Sequence, residues 1–259
     1  MKRKLLISGI LLFVSATILA FANRKTIMQV LQHQQVTVPV VSAPTSPPSK
    51  YDPALLVKLN EVINTFAGQR HAFTLAGVVN LINNADTSEK MDHVQFVLSK
   101  NDNNFYYRMG KMEAIGENGI YLNINPDTKK VFIAEKKQIN TVSVINMDQL
   151  KQVLETEDYQ LTGKVNGSLE TISLINENHY TCKEYTVTFD TLTKKLTNIF
   201  YRMAYVREPM NKAKEKLITI ALTQCDTTGS LNKYKNKADI IDAQGKLLGK
   251  YERYQLIHL

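Results

Sequence analysis

From residue 73 to the carboxyl terminus, apolar side chains fall at every second position or in short runs, and turn chemistry separates the runs. That pattern confines the chain to a mainly β architecture. Strands are expected over residues 73–82, 93–98 and 104–111, then in a hairpin across Asn118-Gly119 into 120–124, and, after Asn125-Pro126-Asp127, over 130–134. A second series is expected over 159–165, 170–175, 180–189, 195–205, 216–224, 238–242 and 246–259. Short connections make each series an antiparallel meander. Two segments keep the helical period instead. Asp52 can cap and Pro53 suits a first helical turn, after which Leu55, Leu56, Leu59, Val62, Ile63 and Phe66 recur until Gly68. A shorter helix is expected over 146–156, capped by Asn146, with Met147, Leu150, Val153 and Leu154 on one side.

No Pro/Gly/Ser-rich seam divides residues 51–259, so they read as a single α+β domain built on a curved antiparallel sheet. Phe105-Tyr106-Tyr107 and Ile199-Phe200-Tyr201 place large side chains on both faces of their strands. A sheet wet on one face would alternate more cleanly. Either the two helices cover the second face, or curvature leaves part of it as an apolar cleft beneath them.

The chain begins differently. After Lys2, Arg3 and Lys4, residues 5–22 form an 18-residue stretch without a charge, which must enter a membrane. A cleaved secretory signal is supported by Ala20-Phe21-Ala22; an uncleaved anchor is favoured because the run exceeds the ~7 to 15 apolar residues of a signal core. Three basic residues before the span against two after it, Arg24 and Lys25, keep the amino terminus cytoplasmic. Residues 23–35 can prolong the helix, whereas 36–50, with Pro39, Pro44, Pro47 and Pro48, read as an extended tether of roughly 45 Å. The expected address is the inner membrane of a bacterial cell envelope with the domain facing the periplasm. The alternative is a secreted periplasmic protein cleaved at Ala22.

The net charge of +8 has to be located before it is interpreted. Residues 1–50 hold six basic and no acidic side chains, and residues 51–259 hold 26 and 24. A nucleic-acid partner is therefore not expected. Within the domain, residues 51–193 carry 13 basic and 18 acidic groups and residues 194–259 carry 13 and 6. The basic third includes Lys212, Lys214, Lys216, Lys233, Lys235, Lys237, Lys246, Lys250 and Arg253, either ordinary solvated faces or a patch for anionic headgroups or an acidic partner.

Catalytic chemistry leaves no comparable trace. His33, His71, His93, His179 and His258 are scattered, no Gly-x-Ser-x-Gly or His-Glu-x-x-His occurs, and no Gly-rich phosphate loop is present. Glu155, Glu157 and Asp158 read as a solvated helix end. Two cysteines are too few for a structural zinc site. If residues 180–189, 195–205 and 216–224 form a simple meander, Cys182 lies level with Leu217, and Cys225 lies about 27 Å away along the strand. A disulfide needs Cα atoms within ~7 Å, so two free thiols are expected. The expected role is non-enzymatic, with no cofactor and no metal.

One family shares this order of elements. Phe105-Tyr106-Tyr107-Arg108-Met109, Gly116-Glu117-Asn118-Gly119-Ile120-Tyr121-Leu122, and Ile124-Asn125-Pro126 through Lys130-Val131 resemble the aromatic strand, acidic-Gly turn, apolar strand, Asn/Asp-Pro turn and Val strand of the periplasmic lipoprotein carriers and their outer-membrane receptor, the LolA/LolB-like half-barrels. Residues 185–203 resemble the later hairpin of that family, and the likeness runs over about 52–204. It implies a half-barrel with a concave apolar face able to hold acyl chains. The carriers are soluble and the receptor is lipid-anchored, whereas this chain carries an apolar protein segment and a tether. On that reading the walls of a cleft for a lipid or lipoprotein acyl chain are Leu59, Phe66, Phe105, Tyr107, Ile120, Leu122, Val131, Phe189 and Phe200. The alternative is an envelope interaction module whose sheet docks a protein partner and whose concave face is filled by its own helices.

Overall fold

A computed structural model describes residues 50–68, 72–135 and 147–259, with side chains of 63–68 and 147–149 left aside. The apolar segment, the tether and the Asn146 cap lie outside the described residues. Helix α1, Pro53–Gly68, starts where Asp52 Oδ1 accepts the Ala54 and Leu55 N–H groups at 2.8 and 3.4 Å. Helix α2 is Met147–Thr156. Among the described residues no helix is long and apolar enough to cross a membrane.

The rest is mostly β: an open, curved, mixed sheet of 12 strands. The first meander is β1 (Ala72–Asn83), β2 (Met91–Asn101), β3 (Asn104–Met109), β4 (Met112–Glu117), β5 (Ile120–Asn125) and β6 (Lys130–Glu135). The second is β7 (Gln160–Asn166), β8 (Leu169–Ile175), β9 (Cys182–Asp190), β10 (Leu196–Met203) and β11 (Lys216–Asp226). They join where β11 pairs antiparallel with β1, giving the order β12-β6-β5-β4-β3-β2-β1-β11-β10-β9-β8-β7. The β4–β5 turn is the Asn-Gly signal made real, with φ of 49° at Asn118 and 77° at Gly119, both positive as a type I′ turn requires.

The junction is bent. Pairing of β1 with β11 slips by one residue between Ala76 and Gly77, and a Cβ on Gly77 would sit 2.0 Å from the Ala221 carbonyl oxygen. Only glycine admits that approach. Further slips occur in β1–β2 and twice in β9–β10, and each bulge adds bend and twist to the sheet.

Register divides the side chains into two faces. Tyr107, Ala114, Asn123 and Phe132 form one cross-strand row, and Tyr106, Ile115, Leu122 and Ile133 form its neighbour on the opposite face. The first face continues through Val79, Ile220 and Ile199 to Val187 and Ile172, where Leu56 and Leu59 of α1 and Leu150 and Leu154 of α2 bury themselves. We call it the helix face. The opposite face of β2–β6 is covered by the tail, residues 227–259, through Ile240, Ile241, Leu247 and Tyr251.

Two expectations need correction here. Residues 238–242 and 246–259 are not strands: Lys237–Asp239 and Gly249–Tyr251 are single 3₁₀ turns, Ile241 and Leu247 make one isolated bridge, and only β12, Gln255–His258, is extended. Asn236 and Asp239 close a capping box, and Gly245 and Gly249 adopt φ of 85° and 54°, so the tail turns repeatedly and its apolar residues plug a face rather than alternate. The sheet is also not purely antiparallel. After crossing the face, the tail returns as β12 parallel to β6, the direction that a long crossover permits.

Candidate functional site

The helix face is not uniform. At the β7–β10 end, Leu56, Leu59 and Leu154 are fully buried against Ile172, Val187 and Phe189. Gly163 of β7 lies under Leu55, whose Cδ2 would be 2.5 Å from a Cβ there. The two helices fill this end as a core. Toward β2–β5 the same face carries Phe96, Leu98, Phe105 and Tyr121, all partly buried, around buried Leu81, Tyr107 and Met109.

Its centre is a three-strand arrangement. Phe105 on β3, Gly116 on β4 and Tyr121 on β5 stand side by side, and the Phe105 ring occupies the space a Gly116 side chain would need, 2.2 Å from a Cβ. The Phe105 and Tyr121 rings lie 6.2 Å apart with a 40° tilt. Glycine in a strand loses packing, and an aromatic laid across it restores that surface. Beside them Tyr107 is only 8% exposed, and its hydroxyl has no hydrogen-bond partner among the described residues. Burial, and then the neighbouring Tyr121, push its pKa up, so it is a neutral donor. The arrangement is an apolar wall with one uncommitted O–H, suited to a chain-like ligand with a single polar group.

A hollow of ≈490 Å³ opens on the edge of the helix-covered cluster, lined by Leu196, Leu222 and Cys225 with Asp190, Thr193, Lys195 and Asp226 around it. Burial raises the Cys225 thiol, and it pushes Cys182 up to about 11, so both stay protonated at neutral pH. Both are free thiols.

The nine residues expected to line a cleft do not share one wall. Phe105 and Tyr107 lie on the β2–β5 part of the helix face, while Leu59 and Phe189 belong to the helix-filled core. Ile120, Leu122 and Val131 are on the opposite face beneath the tail. Phe200 also faces that side, between Thr186 and Thr219. The Phe66 side chain lies outside the described residues. Parity explains the split: across two-residue hairpins Tyr107 stands opposite Ala114 and then Asn123, which puts Tyr121, not Ile120 or Leu122, on its face. Tyr121, Gly116 and Phe96 are not among the nine expected wall residues, although Gly116 and Tyr121 stand in the motif that carries the resemblance. Counting back from the Asn118-Gly119 turn would have found the first two.

His179 and the acidic residues after α2 serve structural contacts. Nδ1 of His179 accepts from the Thr181 and Cys182 N–H groups at 3.2 and 3.1 Å, which leaves the proton on Nε2, donated to Glu157 at 2.9 Å. This ties the 176–182 loop to the end of α2. Asp158 pairs with Lys50 at 2.5 Å, so the acidic residues after α2 point to separate partners. Among the described residues, no group of His, Cys, Asp and Glu is placed to hold a metal ion.

No family model matches the chain, and no curated protein matches it. Among solved structures, one described as an uncharacterized conserved protein from Thermus thermophilus is similar over 78% of this chain and 99% of its own, at 9% identity and a TM-score of 0.38.

Proposed function

We propose that the chain is a non-enzymatic, membrane-tethered binding protein of the bacterial cell envelope, its domain facing the periplasm, whose sheet cradles an acyl chain of a lipid or lipoprotein in the manner of a half-barrel. The observation that carries this reading is the partly buried apolar cluster of Phe96, Leu98, Phe105 and Tyr121 on the helix face, gathered around the Tyr107 hydroxyl. The resemblance to the LolA/LolB-like carriers supports it. The amended walls are Phe96, Leu98, Phe105, Tyr107 and Tyr121, with the Tyr107 hydroxyl available to the ligand's ester or amide.

One observation favours a second reading. The fully buried Leu56, Leu59 and Leu154 make the helix-covered end a closed core, as an interaction module without a lipid would have. Native mass spectrometry of the full chain in mild detergent, given a dipalmitoylated lipopeptide, separates the two. Binding is expected, retained in Tyr121→Leu and lost in Tyr121→Lys while circular dichroism is unchanged. Equal loading of the chain and of Tyr121→Lys would leave the interaction module as the better account.

A further inference from the structure

The tail holds a second hollow, on the side of the molecule away from the helix face. Residues 230–259 carry six basic side chains and three acidic ones. One basic group is used internally: Lys235 Nζ lies 2.6 and 2.5 Å from the two Glu113 carboxylate oxygens and 3.1 Å from the Tyr251 hydroxyl. Tyr106 donates to the same carboxylate at 3.0 Å, and Tyr234 stacks on Tyr106 with centroids 4.9 Å apart and planes 3° from parallel. This network fixes two tyrosine rings rigidly against the sheet. Between them opens a hollow of ≈470 Å³, walled by Tyr234, Tyr251 and Leu248 and flanked by Lys233 and Lys250. The Lys250 ammonium stands 5.0 Å from the Tyr251 ring centroid.

The charges around it do not cancel. Glu113 neutralises Lys235, and Asp239, the acidic residue on the rim, accepts the Asn236 N–H in its capping box. Lys233 and Lys250 are exposed, and among the described residues neither forms an ion pair. The rim is therefore left with one net positive charge, two exposed ammonium groups against one carboxylate, above an aromatic and aliphatic floor. Lysine binds phosphate as a point charge without demanding bidentate geometry, and tyrosine faces accept the C–H surface of a polyol. A hollow of this size holds a phosphate with a three- to six-carbon polyol.

We propose that this hollow binds the phosphate group of a small polyol phosphate ester through Lys233 and Lys250. The same chemistry is offered by a soluble sugar or glycerol phosphate and by a glycerophospholipid headgroup. The site is separate from the acyl cleft and does not depend on it.

Amine-acylation footprinting of the full chain in nanodiscs tests the site and separates the sources. In phosphatidylcholine discs, glycerol 3-phosphate is expected to slow labelling of Lys233 and Lys250 by about threefold or more, with Lys111 and Lys194 unchanged and glycerol without effect. That result marks a soluble ester. Protection on exchanging phosphatidylcholine for phosphatidylglycerol, with no added ester, marks a headgroup. In either arm Lys250→Gln should abolish protection of Lys233. Absence of protection in both arms, equal protection at Lys111 and Lys194, or protection of Lys233 that survives Lys250→Gln would overturn the proposal.

Discussion

Lys183 is the residue whose position is hardest to foresee. It is 1% exposed, with Nζ 2.9 Å from Glu215, which is itself 7% exposed and 3.5 Å from Arg202. Arg202 also pairs with Glu184 and Glu177, and the Arg202 guanidinium, followed by the Lys212 ammonium, holds the Glu177 carboxyl down to about 2. A lysine beside a glutamate at the start of a strand reads as solvated, yet the bulge between Arg202 and Met203 makes Lys183 the extra residue of β9 and turns it inward. Lys183→Met strands the buried Glu215 with Arg202 alone and is expected to cost ~3 to 5 kcal/mol in urea unfolding, most of it restored by also changing Glu215→Leu. The same bulge shifts the cysteines. Cys182 is level with Met203 and then Lys216, one residue from the Leu217 expected, which leaves Cys225 about 31 Å along the strand. The thiols are free in spite of that slip, because a one-residue error is small against nine residues of separation.

At the level of elements, what could be read was whatever local chemistry decides. The Asp52 cap, the helical period of α1, the Asn118-Gly119 turn and ten of the strands follow from signals a few residues long. The tail was misread because Ile240, Ile241 and Leu247 are held by the sheet they cover, not by pairing with one another in a ladder. The pairing of β1 with β11 was equally hidden, since it joins residues such as Val79 and Ile220 that no local signal connects. Two glycines test how the elements are joined. A Cβ on Gly77 meets the backbone oxygen of Ala221, which has nowhere to go, whereas a Cβ on Gly163 meets only the end of the Leu55 side chain. Gly77→Ala is expected to cost about 3 kcal/mol and to accelerate hydrogen exchange across Val78 to Leu81 and Ile218 to Ala221. Gly163→Ala should cost less than about 1 kcal/mol and confine faster exchange to α1. Equal effects of the two changes would mean that the junction is no tighter than the helix contact.

The whole molecule is two meanders sewn together at β1–β11, each given its core by a different covering. The helices supply the second meander with Leu56, Leu59, Leu150 and Leu154, and the tail supplies the first with Ile240, Ile241, Leu247 and Tyr251. Fully burying each of those four tail side chains is worth ~1.5 to 3 kcal/mol, so together they approach the ~5 to 15 kcal/mol that holds an ordinary domain folded. Removing the tail would expose Ile115, Leu122, Ile124 and Val131, and it would take Lys235 away from Glu113. A chain ended at Asp226 is therefore expected to lose its cooperative melt and bind a hydrophobic dye, although every residue of β1 to β11 and both helices remains. A stronger discrimination comes from exchange: amides of β3 to β6 should be unprotected in the shortened chain, while β8 to β10, still covered by α1 and α2, keep part of their protection. A cooperative melt within a few degrees of the full chain would show the tail to be an appendage and the first meander to be stable with that face in water.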